Sequence, residues 1–137
     1  MDSKEERVRK IDRFLEQTTK RDLTFRVEDR PSAVILNLKG RLNQGALGSD
    51  STAKVLELVE GHASPRAVFD LHEIESIDSS GVQFLLLLSK RLKEKGGQLI
   101  LANPSPVLTN VLRVLNLQAI WPVFNSVDEA MEFCDKE

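Results

Sequence analysis

The chain has 137 residues, of which 41% are hydrophobic and 29% are charged, a composition typical of one folded domain. Its 19 basic and 21 acidic side chains give a formal charge of −2 at pH 7, which argues against direct nucleic-acid binding because that requires clustered cations. No apolar run approaches the roughly 18 residues of a membrane span and no signal-peptide pattern opens the chain, so we expect a cytoplasmic protein.

Residues 1–21 predict a helical extension ahead of the main domain, which we place at residues 22–137. Four apolar side chains recur at helical spacing within this charge-rich segment: Val8, Ile11, Phe14 and Leu15. Two roles for the amphipathic helix stay open. It covers part of the core, or it docks a partner, which includes homodimerisation of the protein.

The main domain opens with a predicted β-hairpin. Residues 23–27 alternate apolar and polar side chains, and residues 33–38 are more continuously apolar. The segment Asp29-Arg30-Pro31-Ser32 between them has the composition of a turn.

Helices and buried strands alternate through the rest of the chain. Predicted helices cover residues 47–60, 80–95, 104–115 and 127–136, and predicted strands cover residues 67–71, 98–102 and 120–124. A polar loop is expected over residues 72–77, followed by a helix whose inward face is predicted as Val82, Leu85, Leu86 and Leu88. We therefore predict an α/β domain, a mixed β-sheet of about five strands with about four helices packed against it.

The sequence lacks the usual catalytic and cofactor motifs. There is no Gly-x-Gly-x-x-Gly and no Walker A lysine, and His62 and His72, both predicted in solvated loops, are too few for a His-rich metal site. Cys134 lies on the apolar side of the last predicted helix, which favours a buried structural thiol. We expect no cofactor, no metal and no enzymatic activity.

One segment indicates a functional site. A buried strand is followed, after the polar loop, by Asp78-Ser79-Ser80-Gly81 at the start of an apolar helix, and α/β domains usually place their sites at the carboxyl ends of such strands. Ser79 is expected at or beside the N-cap, with its hydroxyl at the N-terminal end of the helix. On spacing alone, plain helix capping by Asp78 or Ser79 stays open.

Residues from about 23 to 135 resemble a STAS domain of the anti-sigma factor antagonist type. The resemblance rests on Ile77-Asp78-Ser79-Ser80-Gly81, on the helix exit Arg91-Leu92-Lys93-Glu94-Lys95-Gly96-Gly97, on Ala102-Asn103-Pro104-Ser105-Pro106 and on the closing Val123-Phe124-Asn125-Ser126-Val127. It implies a single STAS-like domain that regulates transcription by partner switching.

The same resemblance implies a role for particular residues. Ser79 matches the serine that an anti-sigma factor serine kinase phosphorylates; the unphosphorylated form binds that kinase, and a serine phosphatase resets the switch. The implied partner-binding residues are Asp78, Ser79, Ser80, Gly81 and Asn43. Family members often carry Asp where this chain has Asn43, which implies a different choice of partner if that carboxylate meets a basic group. At Gly81 we expect a side chain to weaken docking more than stability.

Two alternatives remain. A STAS chain also fits a subunit of a stress-signalling assembly or of a lipid or anion transport system. A receiver-like domain phosphorylated on Asp70 or Asp78 would need a lysine at the end of a later strand, and no Lys follows Ala102 or Phe124 there.

Overall fold

The computed structural model describes residues 23–47, 51–60, 62 and 64–136, and the predicted N-terminal helix lies outside them. A five-stranded sheet has the order β1 (Leu23–Arg30), β2 (Ala33–Leu42), β3 (Arg66–Ile77), β4 (Gln98–Ala102) and β5 (Val123–Phe124). The first pair is antiparallel and the others are parallel. Within the described ranges, four α-helices accompany the sheet: α1 (Ser51–Glu60), α2 (Ser79–Glu94), α3 (Pro106–Val114) and α4 (Val127–Lys136). The predicted α/β architecture is confirmed.

Helices cover both faces of the sheet, which explains why its central strands are almost continuously apolar. On one face, Phe69 and Leu101 join a core built with α1, α2 and α3. On the other face, Val68 and Ile100 pack against α4, where the buried Cys134 lies as predicted. No helix among the described residues is both long enough and apolar enough to cross a membrane.

The predicted loop over residues 72–77 is wrong, because β3 continues as a strand to Ile77. Its apolar residues Leu71, Ile74 and Ile77 are three apart, whereas a regular strand repeats every two residues. Two β-bulges account for the difference, since β3 has one additional residue between its pairs with Asn37 and Lys39, and another between its pairs with Gly40 and Arg41.

The second bulge uses a glycine on the partner strand. Gly40 has a φ of 118°, a backbone conformation that residues with a side chain rarely adopt. With glycine at this position, β2 continues through the bulge to Leu42, four residues past its predicted end at Leu38. The extension also places His72 on a strand and not in the predicted solvated loop.

Other boundaries agree closely with the sequence pattern. The hairpin turn is Pro31-Ser32, and β4 and α4 have their predicted bounds. The predicted strand 120–124 shrinks to Val123–Phe124, because a 3-10 turn over Leu117–Ala119 precedes it and Trp121 is buried in the core.

The packing of α2 corrects one predicted core residue. Its buried positions are Gly81, Phe84, Leu85, Leu88, Ser89 and Leu92, spaced three and four apart as on one face of a helix. Leu86 was expected inside, but it is 38% exposed, since a run of five apolar residues on a helix cannot all face the same sheet.

These two neighbouring leucines provide a test of the packing. We expect Leu85→Ala to lower the free energy of unfolding by about 2–5 kcal/mol, because Leu85 is fully buried and its truncation leaves a cavity. Leu86→Ala should cost less than about 1 kcal/mol, as for an exposed position. Chemical denaturation measures both, and equal losses would contradict the assigned faces of α2.

Candidate functional site

Asp78 caps the N-terminus of α2. One carboxylate oxygen, Oδ1, accepts a hydrogen bond from the backbone N–H of Gly81 at 3.1 Å. The other, Oδ2, accepts from the backbone N–H of Gln44 at 3.1 Å. A single carboxylate therefore satisfies a free N–H of the first helical turn and joins the helix to the loop after β2.

That loop is a tight turn organised by Asn43. Its side-chain Oδ1 accepts from the N–H of Ala46 at 2.8 Å, and its backbone oxygen accepts from the N–H of Leu47 at 2.9 Å. The N–H of Asp78 donates to Leu42 just before the turn, at 3.1 Å. The structure thus brings the Asn43 turn beside the Asp78-Ser79-Ser80-Gly81 segment, two sequence-predicted regions 35 positions apart.

Ser79 is the first residue of α2 and its side chain is exposed. Because Asp78 performs the capping, the hydroxyl of Ser79 is not needed for it, and this hydroxyl makes no hydrogen bond to any described residue. Ser80, in contrast, is half-buried. Of the two serines, Ser79 is the one that another molecule reaches more easily.

Gly81 has a packing role that the sequence did not predict. A Cβ atom placed there would lie 2.3 Å from the backbone oxygen of Leu42 and 2.7 Å from the side chain of Ile77. The helix therefore approaches the end of β2 so closely that only glycine fits. A side chain at Gly81 is therefore expected to disturb the fold itself, whereas its effect on docking stays a prediction.

A polar network lies on the exposed part of β3. His72 Nδ1 is 2.9 Å from Asp70 Oδ1, and its Nε2 is 3.6 Å from Glu73. Asn37 donates to the second oxygen of Asp70 at 3.1 Å. The described residues hold no group of three or more His, Cys, Asp or Glu side chains that could bind a metal ion.

The ionised form of Asp78 is favoured by its hydrogen bonds. Partial loss of water around the carboxylate tends to raise the pKa of Asp78, but four backbone N–H groups, led by those of Gly81 and Gln44, together outweigh it. The pKa of Asp78 is therefore lowered from its ordinary value of 3.8.

A family model for the STAS domain matches residues 8–130, which is most of the chain. The chain belongs to the STAS domain family. The fold agrees with this assignment, and the resemblance stated from the sequence is confirmed.

The solved structures that are similar to this chain include an anti-sigma factor antagonist in two forms. The anti-sigma factor antagonist SpoIIAA in its unphosphorylated form is 25% identical, with a TM-score of 0.69, over 83% of this chain and 98% of that one. SpoIIAA of Bacillus in its phosphorylated form is 26% identical, with a TM-score of 0.61, over 80% and 97% of the two chains.

Curated relatives include antagonists and a transporter. BtrV of Bordetella bronchiseptica, named as a candidate anti-sigma factor antagonist, is 34% identical over 65 residues, 47% of this chain and 56% of that protein. Sulfate transporter 1.3 of Arabidopsis thaliana is 34% identical over 84 residues, 57% of this chain but only 13% of the transporter. The chain therefore spans only part of the length of both of these relatives.

The Gly81 contact gives a stability prediction. We expect Gly81→Ala to lower the free energy of unfolding by about 1–3 kcal/mol, because the added methyl overlaps a backbone oxygen that cannot move aside cheaply. Gly45→Ala is the matched control, since its Cβ would meet only Asn43 Oδ1 at an ordinary 3.6 Å. Thermal and chemical unfolding compare the two variants; an equally stable Gly81→Ala would show that α2 has room to shift.

The Asp78 hydrogen bonds give a pH prediction. A carboxyl group whose pKa is lowered by folding stabilises the protein above its unfolded-state pKa, and that contribution is lost as pH falls through the folded-state value. The wild type should therefore exceed Asp78→Asn in unfolding midpoint at pH 7, and the difference should shrink below about pH 4. A difference that is the same at pH 7 and pH 3 would argue against an ionised cap.

Proposed function

We propose that this protein is an anti-sigma factor antagonist that works by partner switching. Its unphosphorylated form binds an anti-sigma factor serine kinase, phosphorylation of Ser79 releases that kinase, and a serine phosphatase restores binding. The observation that carries the proposal is the exposed hydroxyl of Ser79, which stands at the entrance of α2 without a hydrogen bond to the described chain.

The comparisons support a phosphorylation switch on this fold. Two of the similar structures are SpoIIAA in its unphosphorylated and phosphorylated forms, both about one-quarter identical to this chain. Ser79 lies in the segment that carries the resemblance, and its backbone position is fixed by the neighbouring cap. A kinase needs a serine that can enter its active site, and the exposure of Ser79 meets that need.

Electrostatics explain why phosphorylation would release the partner. A phosphate adds about −1.5 to −2 charges, and a free helix N-terminus would favour it by about 0.3–1 kcal/mol. Here the N–H of Gly81 is already bound by Asp78, so the phosphate gains less from the helix and stands beside another carboxylate. The fold should tolerate this charge, whereas an unmatched charge at an interface costs several kcal/mol.

Asn43 bears on the choice of partner. The turn requires an acceptor oxygen at this position, and either Asn or Asp would supply one for the N–H of Ala46. The amide therefore preserves the shape of the turn while removing a negative charge from the surface next to Ser79. We infer that the cognate kinase of this protein makes no essential ion pair at Asn43.

A second candidate is a subunit of a transport system. The 34% identity to part of Sulfate transporter 1.3 favours it, although the match spans only 13% of that protein. Purification with a membrane permease, and not with a histidine-kinase-like ATPase, would support this role.

Variants of Ser79 test the switch. Ser79→Ala should bind the anti-sigma factor kinase, whereas Ser79→Asp should bind at least about tenfold more weakly because it places a fixed charge in the interface. Ser80→Ala is the matched control for the site of modification and should still be phosphorylated, because the phosphate is expected on Ser79. Isothermal titration measures the affinities, and mass spectrometry after incubation with kinase and ATP locates the phosphate.

Two results would reject this function. One is equal binding by the wild type, Ser79→Asp and the phosphorylated protein. The other is a base-labile acyl phosphate on an aspartate in place of a stable phosphoserine, which would support a receiver-like mechanism.

A further inference from the structure

The exposed side of α2 continues the surface that begins at Ser79. Successive residues of an α-helix are rotated by about 100°, so Ser79, Gln83, Leu86 and Lys90 fall within an arc of about 60°. Gln83 and Lys90 are exposed, as Ser79 is. We call these four residues, together with Leu87, the Ser79 face of α2.

Two large apolar side chains interrupt this otherwise polar face. Leu86 is 38% exposed and Leu87 is 43% exposed, although the buried side of the same helix is already filled by its own apolar residues. Neither side chain belongs to the core clusters of the described residues. Paired exposed leucines beside a candidate phosphorylation site indicate an interaction surface.

The far end of the Ser79 face is basic. Lys90 and Lys93 are exposed, and neither forms an ion pair with the residues that the structure describes. The neighbouring Lys95 differs, because its Nζ is 3.2 Å from Glu60 on α1. Lys90 lies about one turn beyond the leucines and Lys93 about two turns beyond them. Having no ion-pair partner in the described part of the chain, both are complementary to an acidic surface.

We propose that Leu86 and Leu87 form an apolar docking site for the same serine kinase that phosphorylates Ser79. This inference rests on the proposed function and adds to it. An α-helix rises about 1.5 Å per residue, so Leu86 lies about 10 Å along α2 from Ser79. The kinase would therefore present an apolar pocket about 10 Å from the point of phosphoryl transfer. It would present acidic side chains about 16 Å from that point, facing Lys90.

The usual size of a protein interface favours the kinase as the partner that covers Leu86 and Leu87. A standard interface buries about 800 Å² on each partner, which corresponds to a disc with a radius of about 16 Å. A kinase centred on Ser79 must therefore cover Leu86, whereas a second copy of the chain bound there would block access to Ser79. The apolar contact also explains how the partner is held before any phosphate is transferred.

The test compares equally drastic changes at two exposed leucines. Leu86→Glu should weaken binding of the purified kinase at least tenfold and raise the KM for phosphorylation of Ser79, with kcat nearly unchanged because the hydroxyl is untouched. Leu115→Glu is the control, since Leu115 is 53% exposed just after α3 and should leave both quantities as in the wild type. Thermal unfolding checks that both variants remain folded.

The possible failures separate the two proposals. If Leu86→Glu binds as tightly as the wild type while Ser79→Asp does not, the docking site is wrong and the switch stands. If the wild type sediments as a dimer that Leu86→Glu dissociates, a second copy is the occupant and the docking site is again wrong. If no kinase places phosphate on Ser79 and all Ser79 variants bind alike, the proposed function fails and the docking site fails with it.

Discussion

The carboxylate of Asp78 is the contact on which the site depends. Its two oxygens accept hydrogen bonds from two segments that are distant in sequence, the turn at Gln44 and the first turn of α2 at Gly81. This arrangement does the capping that Ser79 would otherwise do, so the serine hydroxyl is left exposed. The structural role thus belongs to Asp78, and the proposed regulatory role belongs to the adjacent Ser79.

Close packing beneath the cap keeps these groups in register. Gly81 lets α2 approach the backbone of Leu42, and Leu42 in turn accepts the N–H of Asp78. If α2 moved away from β2, the hydrogen bond from the N–H of Asp78 to Leu42 would be lost. A larger residue at Gly81 would force such a movement, because its Cβ would overlap the backbone oxygen of Leu42. These contacts hold the first turn of α2 against the end of β2, and the proposed phosphorylation site lies on that turn.

Hydrophobic periodicity predicted most of the fold but not the details at the site. Continuous apolar strands and the three- and four-residue spacing on α2 and α4 follow directly from burial on known faces, and these predictions were correct. Leu86 was misassigned because a run of consecutive leucines contains no signal for the side that faces the sheet.

The hydrogen bond from Gln44 was missed for a different reason. Gln44 contributes its backbone N–H, and no residue type marks that group in a sequence. The extension of β3 was missed because its two bulges replace alternation with a spacing of three. The sequence identified Asp78 and Ser79 as candidates for the helix cap. It did not indicate which of the two side chains accepts the N–H of Gly81, because that depends on side-chain orientation in the folded structure.

The bulges of β3 also determine where the length of this strand can vary. Each bulge places one residue of β3 outside the one-to-one pairing with β2, and the pair of Leu42 with Ile77 follows the second bulge. Loss of one residue at a bulge would restore regular pairing there and leave Ile77 opposite Leu42. Asp78 would then stay within reach of the N–H of Gln44. The stretch from Ala67 to Asp70 pairs one to one and has no such additional residue, so the part of β3 that leads to Asp78 is the part that accommodates a deletion.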